Sequence, residues 1–297
     1  MAKFLSKFCT SCGRQYRSVK GPLLPLFLQS CYTEIMLDFT IPILPITVRQ
    51  DSDKKLQRYE VPGIELDFIP ENDCGRKEFT GVFVAGGKDG IALSFCAEVP
   101  GFRRKDSAAF SSDSNPLPKS WVFNRHCLEV FIQPEGSPFY YGWEIDAAGS
   151  CLDYRVAVQE GLLEATCSSL TNPASGVLMQ EIGGQKLFFD YDWKSKANWK
   201  MEVEEEFWYL ELFIPWTDFG LANTIENPVT PDDGSLWRGT INRIIPVTAS
   251  GSPVSAEGES EKQALQSLLD FDGVEIVPRF HQPQLFAGFR WQKMERG

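Results

Sequence analysis

Apolar residues recur at every second position from Phe39 onward far more often than at helical spacing, and that alternation is what most constrains the fold. Over residues 90–99, Ile91, Leu93, Phe95, Ala97 and Val99 alternate with smaller or polar neighbours. Residues 127–133 set Leu128, Val130 and Ile132 against Glu129, Phe131 and Gln133. Residues 140–146 and 208–216 repeat the pattern around Tyr141, Trp143, Ile145 and around Trp208, Leu210, Leu212, Ile214. Side chains at i and i+2 share one face of a strand, so such runs bury one face and hydrate the other. Further strands are predicted at 81–85, 152–158, 186–191, 199–203, 239–246 and 287–291. About ten short strands separated by Pro and Gly clusters imply an all-β fold, an antiparallel two-sheet β-sandwich of jelly-roll type.

Between two of these runs stands Pro134-Glu135-Gly136-Ser137-Pro138, short enough to make them a hairpin. Segments 103–120 and 248–262, rich in Ser, Pro, Gly or Glu, read as long surface loops. Within 260–269, Ala264, Leu265, Leu268 and Leu269 fall at helical spacing and predict the one short helix. Residues 1–35 form a basic then apolar tail, of a disordered or targeting kind, ahead of a single domain over 36–297. The apolar stretch in the tail is short and interrupted by prolines. No run approaches the roughly 20 residues of a transmembrane helix.

The balance of 40 acidic against 29 basic residues, net charge -11, repels phosphate backbones and anionic lipid. Nucleic acid is therefore excluded as an expected partner. The eight cysteines lack a repeating spacing, and several sit in apolar runs, as buried thiols do. A cytoplasmic chain is favoured over an exported one on that basis. Cys9 and Cys12 form a lone C-x-x-C, short of the four ligands a structural zinc needs.

Only two histidines, His126 and His281, are present, and neither lies in a hydrolase or metalloprotease motif. No enzymatic activity is expected. Glycoside hydrolysis needs only paired carboxylates, and Glu129, Glu144 and Asp146 lie on adjacent predicted strands; a place on the solvated face, or hydrogen bonding to a ligand, is the preferred reading of these groups. Aromatic residues make up 13% of the chain. A sugar presents C–H groups on one face and hydroxyls at its rim, so its site wants an aromatic plate beside charged or amide groups. Trp121, leaving a polar loop just before the strand that bears Glu129, suits such a plate. Packing into the core suits it equally.

Four segments together resemble carbohydrate-binding module family 9. They are Cys127-Leu128-Glu129-Val130-Phe131-Ile132-Gln133-Pro134 with Tyr140-Tyr141-Gly142-Trp143-Glu144-Ile145-Asp146; Trp208 through Pro215-Trp216; Trp237-Arg238-Gly239-Thr240-Ile241-Asn242-Arg243; and Phe280-His281-Gln282-Pro283 through Phe289-Arg290-Trp291. The resemblance implies non-catalytic binding of a mono- or oligosaccharide, its ring held between two aromatic side chains. By position it makes Trp121 and Phe280 the rings and Glu129 the carboxylate accepting hydroxyl bonds, with Glu144, His281 and Gln282 beside them. Glu144 stands where some members of that family carry an arginine. The family's usual Asp-Gly…Glu…Trp opening has no counterpart in 36–76.

Two alternatives accompany this reading. One is a structural or protein-interaction sandwich whose sugar site has decayed. The other is a haem-binding sandwich, for which Met179, Met201 and His126 are the axial candidates. No cofactor is expected, although calcium at Asp232 and Asp233 is possible.

Overall fold

The structure is a computed structural model, and it describes residues 38–49, 55–56, 58–68, 78–99, 109–111, 122–123, 125–147, 149–158, 176–182, 184–204, 207–220, 229–247, 262–268 and 280–294. The tail at 1–35, with Cys9 and Cys12, lies outside these residues, as does Trp121.

The described chain forms strands β1 (Asp38–Ile43), β2 (Gly63–Glu65), β3 (Asp67–Phe68), β4 (Thr80–Gly86), β5 (Gly90–Glu98), β6 (Ala109–Ser111), β7 (Cys127–Gln133) and β8 (Phe139–Asp146). There follow β9 (Cys151–Ala157), β10 (Val177–Ile182), β11 (Gln185–Asp190), β12 (Asn198–Glu204), β13 (Phe207–Pro215), β14 (Leu236–Val247), β15 (Lys262–Ser267) and β16 (Ala287–Lys293). Single 3₁₀ turns occupy Trp216–Asp218 and Pro283–Leu285.

Hydrogen bonding runs along β10-β11-β9-β8-β7-β14-β16-β1-β4-β5-β13-β12-β6. The path folds over so that β7 and β8 face β4, β5 and β13 across one apolar core, which makes a β-sandwich. Leu128, Val130, Tyr141 and Trp143 enter that core from one side, and Val82, Leu93, Phe95 and Leu210 from the other. Pairing among the described strands is antiparallel except at β1, which runs parallel to both β16 and β4. That seam joins the two halves. At its end Trp216, Trp237 and Trp291 meet edge to face with ring centroids 5.5 to 5.9 Å apart, the geometry aromatic quadrupoles favour.

Arg243 on β14 supplies a polar pin between the halves. Fully buried, it donates to the Phe79 carbonyl at 3.2 Å, to Thr80 Oγ1 at 2.6 Å and to the Glu98 carbonyl.

One prediction is corrected. Residues 262–267 do not form a helix; they are β15, antiparallel to β14 in the register Asn242↔Ser267 to Val247↔Lys262. Strand β14 is twelve residues long, and β16 covers only Leu236 to Gly239. The remaining edge needs partners for its backbone groups, and β15 provides them. Gln266 on this strand is buried. It donates to the Glu78 carbonyl at 2.7 Å and accepts from Thr80 Oγ1 at 2.6 Å. The loop expected at 103–120 also contains a short strand, β6, against β12.

Candidate functional site

The outward face of β7, β8 and β9, opposite the main core, carries a second cluster of buried side chains that is largely aromatic. Alternation places Cys127, Glu129 and Phe131 of β7 on this face. The hairpin register sets Glu129 directly across from Glu144 on β8, and Asn242 on β14 across from Glu129 on its other side. Both carboxylates are only 3% exposed.

Each carboxylate has an oriented neighbour. The Tyr154 hydroxyl donates to Glu144 Oε1 at 2.5 Å. This bond depends on Gly142, the register partner of Tyr154: a Cβ at 142 would lie 2.6 Å from the Tyr154 ring. Asn242 Nδ2 donates to Glu129 Oε2 at 3.5 Å. The Asn242 carbonyl accepts from Thr240 Oγ1 at 2.8 Å and Ser267 Oγ at 2.6 Å, which leaves its amide nitrogen to face the carboxylate. Glu144 Oε2 is buried without a hydrogen-bond partner.

Burial governs the electrostatics. Desolvation pushes the Glu144 carboxyl up to about 7 against the opposing bond from Tyr154. Glu129 rises well above the usual carboxylate range, through burial first and the neighbouring Glu144 second, with Asn242 opposing. The Cys127 thiol is likewise raised by burial and by both glutamates. The face therefore resists carrying two full negative charges.

Of the residues singled out from sequence, Glu129 and Glu144 come together. Phe280 belongs to the same cluster and is 6% exposed, a packed ring. His281 stacks on Phe131 with centroids 4.7 Å apart, and its Nδ1 lies 2.9 Å from the Tyr140 hydroxyl. Its Nε2 lies 3.5 Å from the Tyr154 hydroxyl, so the terminal segment reaches the polar group that orients Glu144. Gln282 is buried, and its backbone forms the turn Gln282 N to Phe280 O at 2.9 Å.

Sequence reasoning did not single out Tyr154 or Asn242 as site residues. Asn242 stood in a quoted segment, and its offset of two from Thr240 was available as a same-face signal. Tyr154 required the β8–β9 register.

The remaining candidates separate. Met201 is in the inter-sheet core on β12, whereas Met179 on β10 is 42% exposed toward the other end of the strand path. They share no environment as axial ligands would. Asp232 and Asp233 are exposed in a turn, where Asp233 Oδ1 accepts from the Lys293 amide at 2.7 Å. Among the described residues, Cys96 and Cys127 are free thiols. Among the described residues, the group with metal-ligating geometry is Cys127, Glu129 and Glu144, whose donor atoms lie within 4.8 Å of one another. Among the same residues no helix is long and apolar enough to cross a membrane.

No family model matches the chain. No curated protein matches it either. Among solved structures, a proposed carbohydrate-binding protein from Bacteroides uniformis ATCC 8492 superposes with a TM-score of 0.51 at 16% identity, covering 86% of this chain and 100% of that one. A family 9 carbohydrate-binding module from Caldicellulosiruptor kristjanssonii in complex with cellotriose gives 0.45 at 8% identity, over 86% of this chain and 95% of its own. The same organism's family 9 module with glucose gives 0.45 at 8% identity, over 88% and 98%. At such identities the likeness is one of fold.

Proposed function

We propose that this chain binds a mono- or oligosaccharide non-covalently, through the outward face of β7–β9, and performs no reaction on it. The observation that carries the reading is a facing pair of carboxyl groups and an oriented amide set within a wall of aromatic rings on one sheet face. Sugar hydroxyls donate to carboxylates, and sugar C–H groups pack on rings, so both halves of a saccharide's surface find partners there. In this reading Glu129 and Glu144 accept hydroxyl bonds, Trp121 and Phe280 flank the ring, and His281 and Gln282 border it. The binding unit spans 36–297, with 1–35 as a separate tail.

Ring stacking at about 0.5–1.5 kcal/mol and charge-assisted bonds at about 1.5–3 kcal/mol, less immobilisation costs, give micromolar to millimolar affinity. Calorimetry against a panel of mono- and oligosaccharides tests this. Saturable heat is expected with at least one sugar, reduced about tenfold or more in affinity by Trp121→Ala and by Glu129→Gln. The near-complete burial of Phe280 and of both carboxylates favours a second reading, a structural or interaction sandwich whose site is filled by its own terminal segment. That reading expects no heat with any sugar.

A further inference from the structure

We infer that Cys127, Glu129 and Glu144 form a site for a thiophilic divalent cation of the zinc class, with Cys127 Sγ and one oxygen of each carboxylate as ligands. The inference goes beyond the saccharide reading and stands without it.

Three observations converge. First, Cys127 and Glu129 are two residues apart on β7 and so project from one face, and Glu144 is the direct cross-strand partner of Glu129. The three donor atoms lie within 4.8 Å of one another. Donors bonded to one tetrahedral ion at about 2.0–2.3 Å are about 3.3–3.7 Å apart, so closing the group takes side-chain movement of up to about an ångström. Second, Glu144 Oε2 lies buried in this cluster with no hydrogen-bond donor. An acceptor desolvated and left unpaired is costly, and a cation satisfies it as a donor would. Third, the outer partners already exist. Tyr154 holds Glu144 by its other oxygen, and Asn242 holds Glu129, itself fixed by Thr240 and Ser267. Such bonds orient metal-binding carboxylates.

The donor set selects the ion. Calcium and magnesium take oxygen ligands, whereas a thiolate beside two carboxylates suits zinc and its neighbours. As the metal binds, the thiol proton and any proton the two carboxyl groups hold leave to solvent; in the free protein the thiol proton is offered only weakly to the Leu128 carbonyl, 3.6 Å away. Three protein ligands leave a fourth position for water.

Titration of the full chain with Co²⁺ in sugar-free buffer reads the site directly. The wild type is expected to develop a thiolate-to-cobalt charge-transfer band, removed by Zn²⁺ and absent from Cys127→Ser. The Cys9→Ser/Cys12→Ser double variant is expected to keep the band, and Tyr154→Phe to weaken Co²⁺ binding by about 10–100-fold. Should Cys127→Ser fail to fold, Glu144→Gln serves, and its melting temperature is expected not to respond to the Zn²⁺ that raises the wild type's. No charge-transfer band in the wild type, a band surviving in Cys127→Ser, or a band lost with Cys9 and Cys12 would overturn the assignment. Sugar calorimetry on metal-free protein is read separately, so the two readings fail independently.

Discussion

Asp218 shows how much one buried side chain can decide. It sits in the 3₁₀ turn after β13 and accepts from Ser195 Oγ and from the Lys196 amide at 3.0 Å. Ser195 Oγ in turn accepts from Trp143 Nε1 at 2.8 Å, so the network ties β8 to the opposite half of the sandwich. Burial raises the Asp218 carboxyl from the ordinary 3.8 to about 6, although both hydrogen bonds and Lys196 oppose it. The folded state therefore holds this proton more tightly than the unfolded chain does. The stabilisation is present below about pH 4 and is lost as pH rises toward 6. A rise of that size corresponds to roughly 3 kcal/mol at most. In urea titrations at pH 5 and pH 8, Asp218→Asn is expected to reduce the wild type's fall in stability by about 1–3 kcal/mol; equal falls in the two proteins would refute this. Nothing in the local sequence around Trp216-Thr217-Asp218 announces the role, because Ser195 and Trp143 arrive from distant strands.

Among the elements, β15 is where local pattern and tertiary environment part company. Its apolar spacing fits one helical turn as well as it fits a strand, a known ambiguity of short segments. Only the unpaired edge of β14 decides between them. The burial of Gln266 gives the test its leverage. On a helix's solvent face, Gln266→Ala would change stability by less than about 0.5 kcal/mol. In β15 it strips partners from the Glu78 carbonyl and the Thr80 hydroxyl in a buried setting, expected to cost about 1–3 kcal/mol by chemical denaturation. The hairpin of β7 and β8 is the opposite case. Its two runs and the Pro134–Pro138 turn are contiguous, so the facing of Glu129 and Glu144 was within reach of the sequence. Strand β9 is also adjacent in sequence, yet the register that lays Tyr154 over Gly142 was not. The approach of β14 that brings Asn242 to Glu129 crosses more than a hundred residues.

For the whole molecule, the seam of β1 and β16 carries the closure of the sandwich. Strand β16 pairs with β1 over six residues and with β14 over four, and it delivers Phe289 and Trp291 to the main core. A chain ending at residue 286 therefore loses one strand, both rings and the bridge between halves. It is expected to show no cooperative thermal transition where the full chain shows one; a sharp melt within a few degrees of the full chain's would contradict that role. Strand β1 pairs parallel with both neighbours, between two halves that are otherwise antiparallel. Alternation along single strands carries no signal for it.

Alternation and turn chemistry, both local, were enough to determine an all-β chain, most of its strands, and two acidic residues on neighbouring strands beside aromatic ones. Period-two burial is a property of each segment alone, so it survives without knowledge of the partner. Register between distant strands, the covering of β14's open edge and the desolvation that lifts Glu144 and Asp218 belong to the assembled molecule. Each depends on what the rest of the chain places against a residue, and no spacing within a segment encodes that.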